Sequence, residues 1–127
     1  MIQKIKIHTD STGYIDAEID DNKNPETAKA IIDALPFKSN VRRWGDEVYF
    51  DIPIAAGEEN SQIEVEVGDL GYWLSGKCFC IFFGRTPAST GEKPAAASPV
   101  NVFGKILGVA TLFKDTKSSE TISVEKA

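Results

Sequence analysis

The chain has 127 residues, of which 42% are hydrophobic and 26% are charged. This balance fits one domain over residues 1–127 and argues against a disordered chain or a fibrous repeat. The 19 acidic and 14 basic side chains give a formal net charge of -5, which disfavours binding to a nucleic-acid backbone. One histidine and two cysteines are too few for a zinc site made of these residues alone, so we expect no metal and no cofactor.

No segment has the pattern of a targeting or membrane-spanning sequence. The first ten residues lack the apolar core of a signal peptide, and the longest strongly apolar run, Cys78 to Phe83, is too short to cross a bilayer. On a strand, the Cα atoms of Cys78 and Cys80 would lie at the limit for a disulfide, so we expect reduced, buried thiols. We therefore expect a cytoplasmic protein without a membrane partner, either a monomer or a weak homo-oligomer.

The first third of the chain predicts two strands and one helix. Alternation of polar and apolar residues predicts strands over Ile2–Thr9 and Tyr14–Asp20. A helix is predicted over Pro25–Leu35, with Asn24 as its N-cap and proline at its first position. Its apolar residues fall on one stripe, so the helix should cover an open end or face of a sheet.

Residues 37–54 are predicted to form a hairpin with its turn at Gly45-Asp46. In that register Arg42 lies opposite Tyr49, and opposite residues share one side of a sheet. One side of the hairpin is core, formed by Val41, Val48, Phe50 and Ile52. The other side carries Arg42, Trp44, Tyr49 and Asp51, which form either a surface cation–π contact or one wall of a binding groove.

The next segments predict short strands. Gln62–Val67 alternates, with Ile63, Val65 and Val67 inward. Residues 77–83, KCFCIFF, have apolar side chains on both faces, so this strand is either central to the fold or the floor of a groove. Residues 84–99 contain three prolines and predict a long surface loop.

The last part of the chain predicts a strand over Val100–Leu107, a helical turn over Val109–Lys114 and a final strand over Thr121–Glu125. The complete order predicts a mainly β fold. We expect a small closed β-barrel of about eight strands, with one firm helix and one weak helix.

Four sequence motifs within residues 40–107 carry a family resemblance. They are WGDEVYF at 44–50, GDLGYWLSG at 68–76, CIFFGRTP at 80–87 and ASPVNV at 97–102. Together they resemble a stand-alone prokaryotic group of cyclophilin-like proteins. In addition, SPVNVFGKI at 98–106, with the closing strand ETISVEK at 120–126, is similar to the C-terminal half of cyclophilins. The resemblance implies a cyclophilin-like fold.

The resemblance also implies where an isomerase site would lie. Cyclophilins isomerise the peptide bond before proline, using an arginine, an apolar wall for the proline ring, and a histidine and a glutamine that orient the peptide. At the positions of the histidine and the glutamine, this sequence has Val100 and Cys78. Arg42 is the best candidate for the arginine. The apolar wall is matched by Cys80, Phe82, Val100 and Val102.

Loss of the polar orienting groups favours a binding module. We expect it to bind a peptide segment or a small ligand without turnover. The predicted groove is lined by Arg42, Trp44, Tyr49, Tyr72, Trp73, Cys80, Phe82, Arg85 and Val100. The alternative is a weak or atypical peptidyl-prolyl isomerase that uses Arg42 and an apolar pocket. We also expect Arg42, Tyr49 and Phe82 to share one concave surface, and loop 84–99 to close over it.

Other candidate residues have less support. Cyclophilin-like barrels also occur in enzymes that act on urea-derived and cyclic amide compounds, where the pairs Asp46-Glu47 and Glu58-Glu59 could serve acid–base chemistry. The simpler interpretation is that these acids are turn and surface charges. His8 is expected at a surface or an edge, since it has no catalytic partner nearby. Of Tyr72 and Trp73, one should pack in the core, because neighbours on a strand point opposite ways.

Overall fold

The first two strands form a long hairpin in the computed structural model, which describes residues 1–127. Strand β1 (Ile2–Thr9) pairs antiparallel with β2 (Gly13–Asp20) along its whole length, as the alternation predicts. One side of this hairpin is buried in the core through Ile5, Ile7, Ile15, Ala17 and Ile19. Helix α1 (Pro25–Ala34) follows and buries Ala28 and Ile31.

The N-terminus of α1 is capped by an unexpected residue. The side chain of Asn24 makes no capping bond; it is fully buried, donates to the Val102 carbonyl at 2.7 Å and accepts from the Asn60 N–H at 2.8 Å. Glu59 caps the helix instead, and its carboxylate accepts from the N–H groups of Glu26 and Thr27, both at 3.0 Å. Glu59 is therefore a structural residue rather than a solvated surface charge.

The remaining strands complete one ten-stranded sheet. They are β3 (Phe37–Asn40), β4 (Arg42–Arg43), β5 (Glu47–Asp51), β6 (Gln62–Glu64), β7 (Asp69–Trp73), β8 (Cys78–Phe82), β9 (Ala95–Ile106) and β10 (Thr121–Lys126). Hydrogen-bonded neighbours run in the order β3-β10-β1-β2-β9-β7-β8-β5-β4, and β6 pairs with β9. No helix is both long and apolar enough to cross a membrane.

The predicted closed barrel of about eight strands is wrong, because the sheet is not closed by hydrogen bonds. Its strand order ends at β3 and β4, which follow each other in the chain and are separated only by Val41. Val41 still bonds to the loop before β10, since its N–H donates to the Glu120 carbonyl at 2.9 Å. After Val41 the chain no longer pairs with β10, and β4 pairs with β5 instead. The two ends of the sheet are thus joined by covalent chain rather than by a ladder.

The predicted hairpin is shorter than residues 37–54, because β3 pairs with β10 and only β4 pairs with β5. Within that shorter hairpin the predicted register is confirmed, with Arg42 opposite Tyr49. The predicted core side is also confirmed, since Val41, Val48, Phe50 and Ile52 are all buried.

Two predictions in the second half are wrong. Strand β6 ends at Glu64, and Ile63 and Val67 are exposed, so Val65 alone of the three predicted inward residues is buried. Strand β9 begins at Ala95 rather than Val100, so the loop covers only residues 84–94. The predicted helical turn is a 3-10 helix over Ala110–Asp115, and the final strand is confirmed.

Strand β8 separates two apolar clusters, and all five of its residues are buried. Phe79 and Ile81 face the large core, where the ring of Phe79 stacks on Phe50 at a centroid distance of 4.8 Å. The other face of the strand contributes to a smaller cluster, formed by Val65, Cys78, Cys80, Phe82, Ala96 and Val100. The prediction of a strand covered on both sides is confirmed.

Candidate functional site

A cavity of about 100 Å³ lies at the surface of the smaller cluster. It is lined by Trp44, Glu47, Tyr49, Trp73, Ala96, Ala97 and Val100. A larger groove of about 450 Å³ lies elsewhere, beside Tyr14 and Leu112, but it contains no buried charged side chain. The smaller cavity is the better candidate, because it combines apolar walls with one buried polar group.

Strand register brings the aromatic walls together. Tyr49 on β5 and Gly71 on β7 both pair with Cys80 on β8, and Trp73 at the end of β7 pairs with Val100 on β9. The rings of Tyr49 and Trp73 meet edge to face, with centroids 6.0 Å apart and an interplanar angle of 83°. This arrangement forms a right-angled corner, which is a favoured aromatic geometry.

The Trp73 ring is held in place on two sides. Its indole N–H donates to the Ser98 hydroxyl, and its six-membered ring covers Gly76. A Cβ at Gly76 would lie 2.4 Å from that ring, so no larger residue fits without moving Trp73. A Cβ at Gly71 would lie 3.2 Å from Val100, so glycine there lets β7 and β9 pack closely under the cavity.

Glu47 is the buried polar group of the cavity. Its residue is only 6% exposed, and burial raises the pKa of its carboxyl from 4.5 to about 7, against the lowering effect of a hydrogen bond with Cys80. No lysine, arginine or amino terminus lies within ion-pair distance of it. The interpretation of Asp46-Glu47 as turn and surface charges is therefore wrong for Glu47. It holds for Asp46, which is only partly buried in the turn and lies 3.7 Å from Arg43.

Arg42 lies beside the cavity but does not line it. Its guanidinium donates to the Asp51 carboxylate at 2.8 Å and covers the Tyr49 ring at 4.8 Å from the centroid. It also contacts the Cys78 sulfur at 3.4 Å. These contacts occupy the guanidinium.

The two cysteines are free and buried, as the spacing predicts. Burial raises the pKa of Cys78 to about 12, with Asp51 adding to the effect, and raises the pKa of Cys80 far above its ordinary value. Both thiols therefore stay neutral at physiological pH, and neither has the character of a nucleophile.

Among the residues predicted to line the groove, Trp44, Tyr49, Trp73 and Val100 meet at this cavity. Cys80 and Phe82 are fully buried in the cluster beneath it. Arg85 is exposed and does not line the cavity. No residue of loop 84–94 lines it either; Ala96 and Ala97, which do, belong to β9.

Tyr72 lies in the large core and not at the cavity. It is fully buried, and its hydroxyl donates to the Ile54 carbonyl at 3.3 Å and accepts from the Ala56 N–H at 3.2 Å. Trp73, its neighbour, faces the opposite way and is partly exposed, which confirms the predicted alternation.

His8 lies on β1 outside the cavity lining, and its ring contacts that of Tyr14 at a centroid distance of 4.6 Å and a tilt of 49°. The structure nowhere brings together three His, Cys, Asp or Glu side chains in a group that could hold a metal ion.

Comparison with known proteins identifies the family. The family described as cyclophilin-like matches residues 3–125. The chain belongs to this cyclophilin-like family. The solution structure of a hypothetical protein from Archaeoglobus fulgidus is similar to the cyclophilin-like chain, with a TM-score of 0.82 and 42% identity. The similarity covers 98% of this chain and 95% of that one. No match was found among curated proteins.

Proposed function

We propose that this cyclophilin-like protein is a binding domain, and that its cavity takes up a small organic molecule or one side chain of a peptide. The observation that carries the proposal is the convergence of Trp44, Tyr49 and Trp73 around one cavity that also contains the buried Glu47. Apolar walls with a few placed polar groups are typical of ligand sites in proteins.

The size of the cavity limits the occupant. Sites for drug-sized ligands measure roughly 300–1,000 Å³, and an apolar cavity of about 150 Å³ holds benzene. A cavity of about 100 Å³ therefore has room for a group of a few heavy atoms. A longer peptide would place one side chain inside and the rest of its chain along the surface.

Fragment binding tests this proposal, because both tryptophans of the chain line the cavity and report on it. In a two-dimensional NMR screen with small neutral and charged fragments, we expect binders to shift both indole N–H signals. Ala97→Phe should block these shifts, since Ala97 is an exposed residue at the cavity rim, whereas Ala55→Phe at an exposed position outside it should not. Fragments that shift only signals near Tyr14 and Leu112 would contradict the proposal.

The alternative function, an atypical peptidyl-prolyl isomerase, has weaker support. An isomerase needs a hydrogen-bond donor aimed at the prolyl amide, and Arg42 is instead held by Asp51 and Tyr49. We expect no acceleration of Xaa-Pro isomerisation in an exchange-NMR assay at high protein concentration. An acceleration that Arg42→Ala abolishes would establish the isomerase instead.

Acid–base catalysis on amide compounds also has less support. Glu47 is suited to proton transfer near neutral pH, but the cavity offers no second carboxyl, no histidine and no ionised thiol to complete a catalytic set.

A further inference from the structure

We infer that the cavity recognises a small organic cation, a methylated or primary ammonium group whose charge pairs with the Glu47 carboxylate and whose carbon atoms pack against Trp44, Tyr49 and Trp73. This inference rests on the proposed binding function and names its ligand class. It follows from three features of the cavity, which are a buried acid without an ion-pair partner, a corner of aromatic rings and a small volume.

The first feature is that the protein supplies no positive charge to Glu47. No ion pair of the protein includes Glu47. Arg42 on β4 is paired with Asp51. Arg43 lies near Asp46 and donates to three carbonyls around the 3-10 helix. An ionised carboxylate that is buried without a partner is destabilising. A cation in the cavity would supply the missing partner.

The groups that face Glu47 from the neighbouring elements are neutral or already paired. Strand β8 contributes the thiols of Cys80 and Cys78, which burial keeps protonated. Strands β7 and β9 contribute only Trp73, Val100 and two alanines to the cavity. On β5 itself, the charge of Asp51 is matched by Arg42. Glu47 is thus the one acid whose charge state governs the field inside the cavity.

The second feature is the aromatic corner. Ring faces carry negative electrostatic potential and attract organic cations, and cages of aromatic rings are a common way to bind quaternary ammonium groups. The ring of Tyr49 already carries the Arg42 guanidinium at 4.8 Å, outside the cavity, so cations are compatible with this surface. Trp73 stands perpendicular to Tyr49 and provides a second wall.

The third feature is the match of size and charge. A volume of about 100 Å³ suits an ammonium head group with its methyl groups. The formal net charge of -5 also favours the approach of a cation over that of an anion.

A titration with paired probes tests the inference. The probes are choline and its neutral isostere 3,3-dimethylbutan-1-ol, added to the full chain at about pH 8 and followed by the two indole N–H signals. We expect choline to bind about tenfold more tightly than the alcohol, because only choline gains the carboxylate and the ring faces. Choline keeps its charge at every pH, so its affinity should fall between about pH 8 and pH 5.5 as Glu47 takes up a proton.

Glu47→Gln keeps the shape of the side chain and removes its charge. We expect this variant to bind choline about tenfold more weakly and the alcohol equally well. Glu92→Gln, which makes the same charge change at an exposed loop position, should leave both affinities unchanged.

Equal affinities for choline and the alcohol, or no effect of Glu47→Gln on choline, would overturn the cation inference and leave the binding function standing. Choline that shifts neither indole signal would also overturn it. If neutral fragments fail to shift these signals as well, the proposed binding function falls with it.

Discussion

As the pH rises from about 4.5 to about 8, the free energy of unfolding of the variant Glu47→Gln should increase by about 3 kcal/mol relative to that of the parent protein. Burial raises the pKa of Glu47 to about 7 in the folded chain, whereas in the unfolded chain it has its ordinary value of 4.5. A difference of one pKa unit corresponds to about 1.4 kcal/mol. The free energy of unfolding of the parent therefore falls by about 3 kcal/mol when the pH rises through both pKa values.

The sign of this effect is fixed by the direction of the pKa change. A carboxyl whose pKa is raised by folding binds its proton more tightly in the folded state, so its contribution to stability is complete below 4.5 and is lost as the pH rises through about 7. The amide of the variant would not titrate, so the variant does not lose this contribution. Burying the amide of the variant has a penalty that does not depend on pH. This penalty cancels when the stability difference between variant and parent is compared at two pH values.

Urea unfolding of both proteins across this pH range provides the measurement. Glu92→Gln is the matched control, and its stability should stay parallel to that of the parent because Glu92 is exposed. Parallel profiles for Glu47→Gln and the parent would contradict the account, since they would place Glu47 in water.

Gly104→Ala should destabilise the fold by about 3 kcal/mol, because the site has no room for a Cβ. A Cβ at Gly104 would lie 2.1 Å from the backbone carbonyl oxygen of Glu18, a contact that only a backbone movement can relieve. Gly104 pairs with Ile19 in the β2–β9 ladder. This ladder connects strands β3, β10, β1 and β2 with strands β9, β7, β8, β5 and β4. Widening this ladder would weaken the link that holds β9, and with it one wall of the cavity.

Thermal and urea unfolding of Gly104→Ala provide the measurement, with Gly91→Ala as the control. A Cβ at Gly91 meets no atom within 4 Å, so this variant should match the parent within about 0.5 kcal/mol. Equal stability of the two variants would show that β2 and β9 are not in close contact at Gly104.

Local sequence patterns were sufficient to predict the aromatic side of the site. The turn at Gly45-Asp46 fixes the register of the short hairpin, and strand parity then places Trp44 and Tyr49 on the side away from the main core. The same parity places Glu47 with them. The burial of Glu47 could not be predicted from this parity, because the alternation does not show that β9 covers the same side of the hairpin.

The start of β9 covers the side of the hairpin that carries Trp44, Glu47 and Tyr49. This cover could not be predicted, because the start of β9 has the composition of a loop. Residues 94–99 contain two prolines and three alanines, which are typical of turns and surface loops. Long-range pairing overrides this local preference, since β9 lies between β6 and β7 and its pairing with each of them is irregular. Proline is tolerated in strands at such irregular places.

The shape of the sheet was also beyond local prediction. The segment 37–43 reads as one strand of a hairpin, yet it changes partner at Val41 from β10 to β5. Nothing in the alternation of these residues marks that change, because Phe37 and Val41 have the same parity and are buried in the same core. Strand number and closure depend on such changes of partner.

The proposed cation site depends on the burial of Glu47. A glutamine there would relieve the burial of a charge, which the hydrogen bond with Cys80 does not offset, so the ionised acid reduces the stability of the fold near neutral pH. Groups that are buried at a loss of stability are common at functional sites, where a ligand makes the missing interaction.

The most direct test is therefore the titration of the Glu47 carboxyl by carbon-13 NMR, with and without saturating choline. We expect a pKa of about 7 in the free protein and a lower pKa in the presence of choline, because a ligand that prefers the ionised carboxylate must favour its ionisation by the same factor. A free-protein pKa near the ordinary value of 4.5, or a pKa that choline leaves unchanged, would contradict the account.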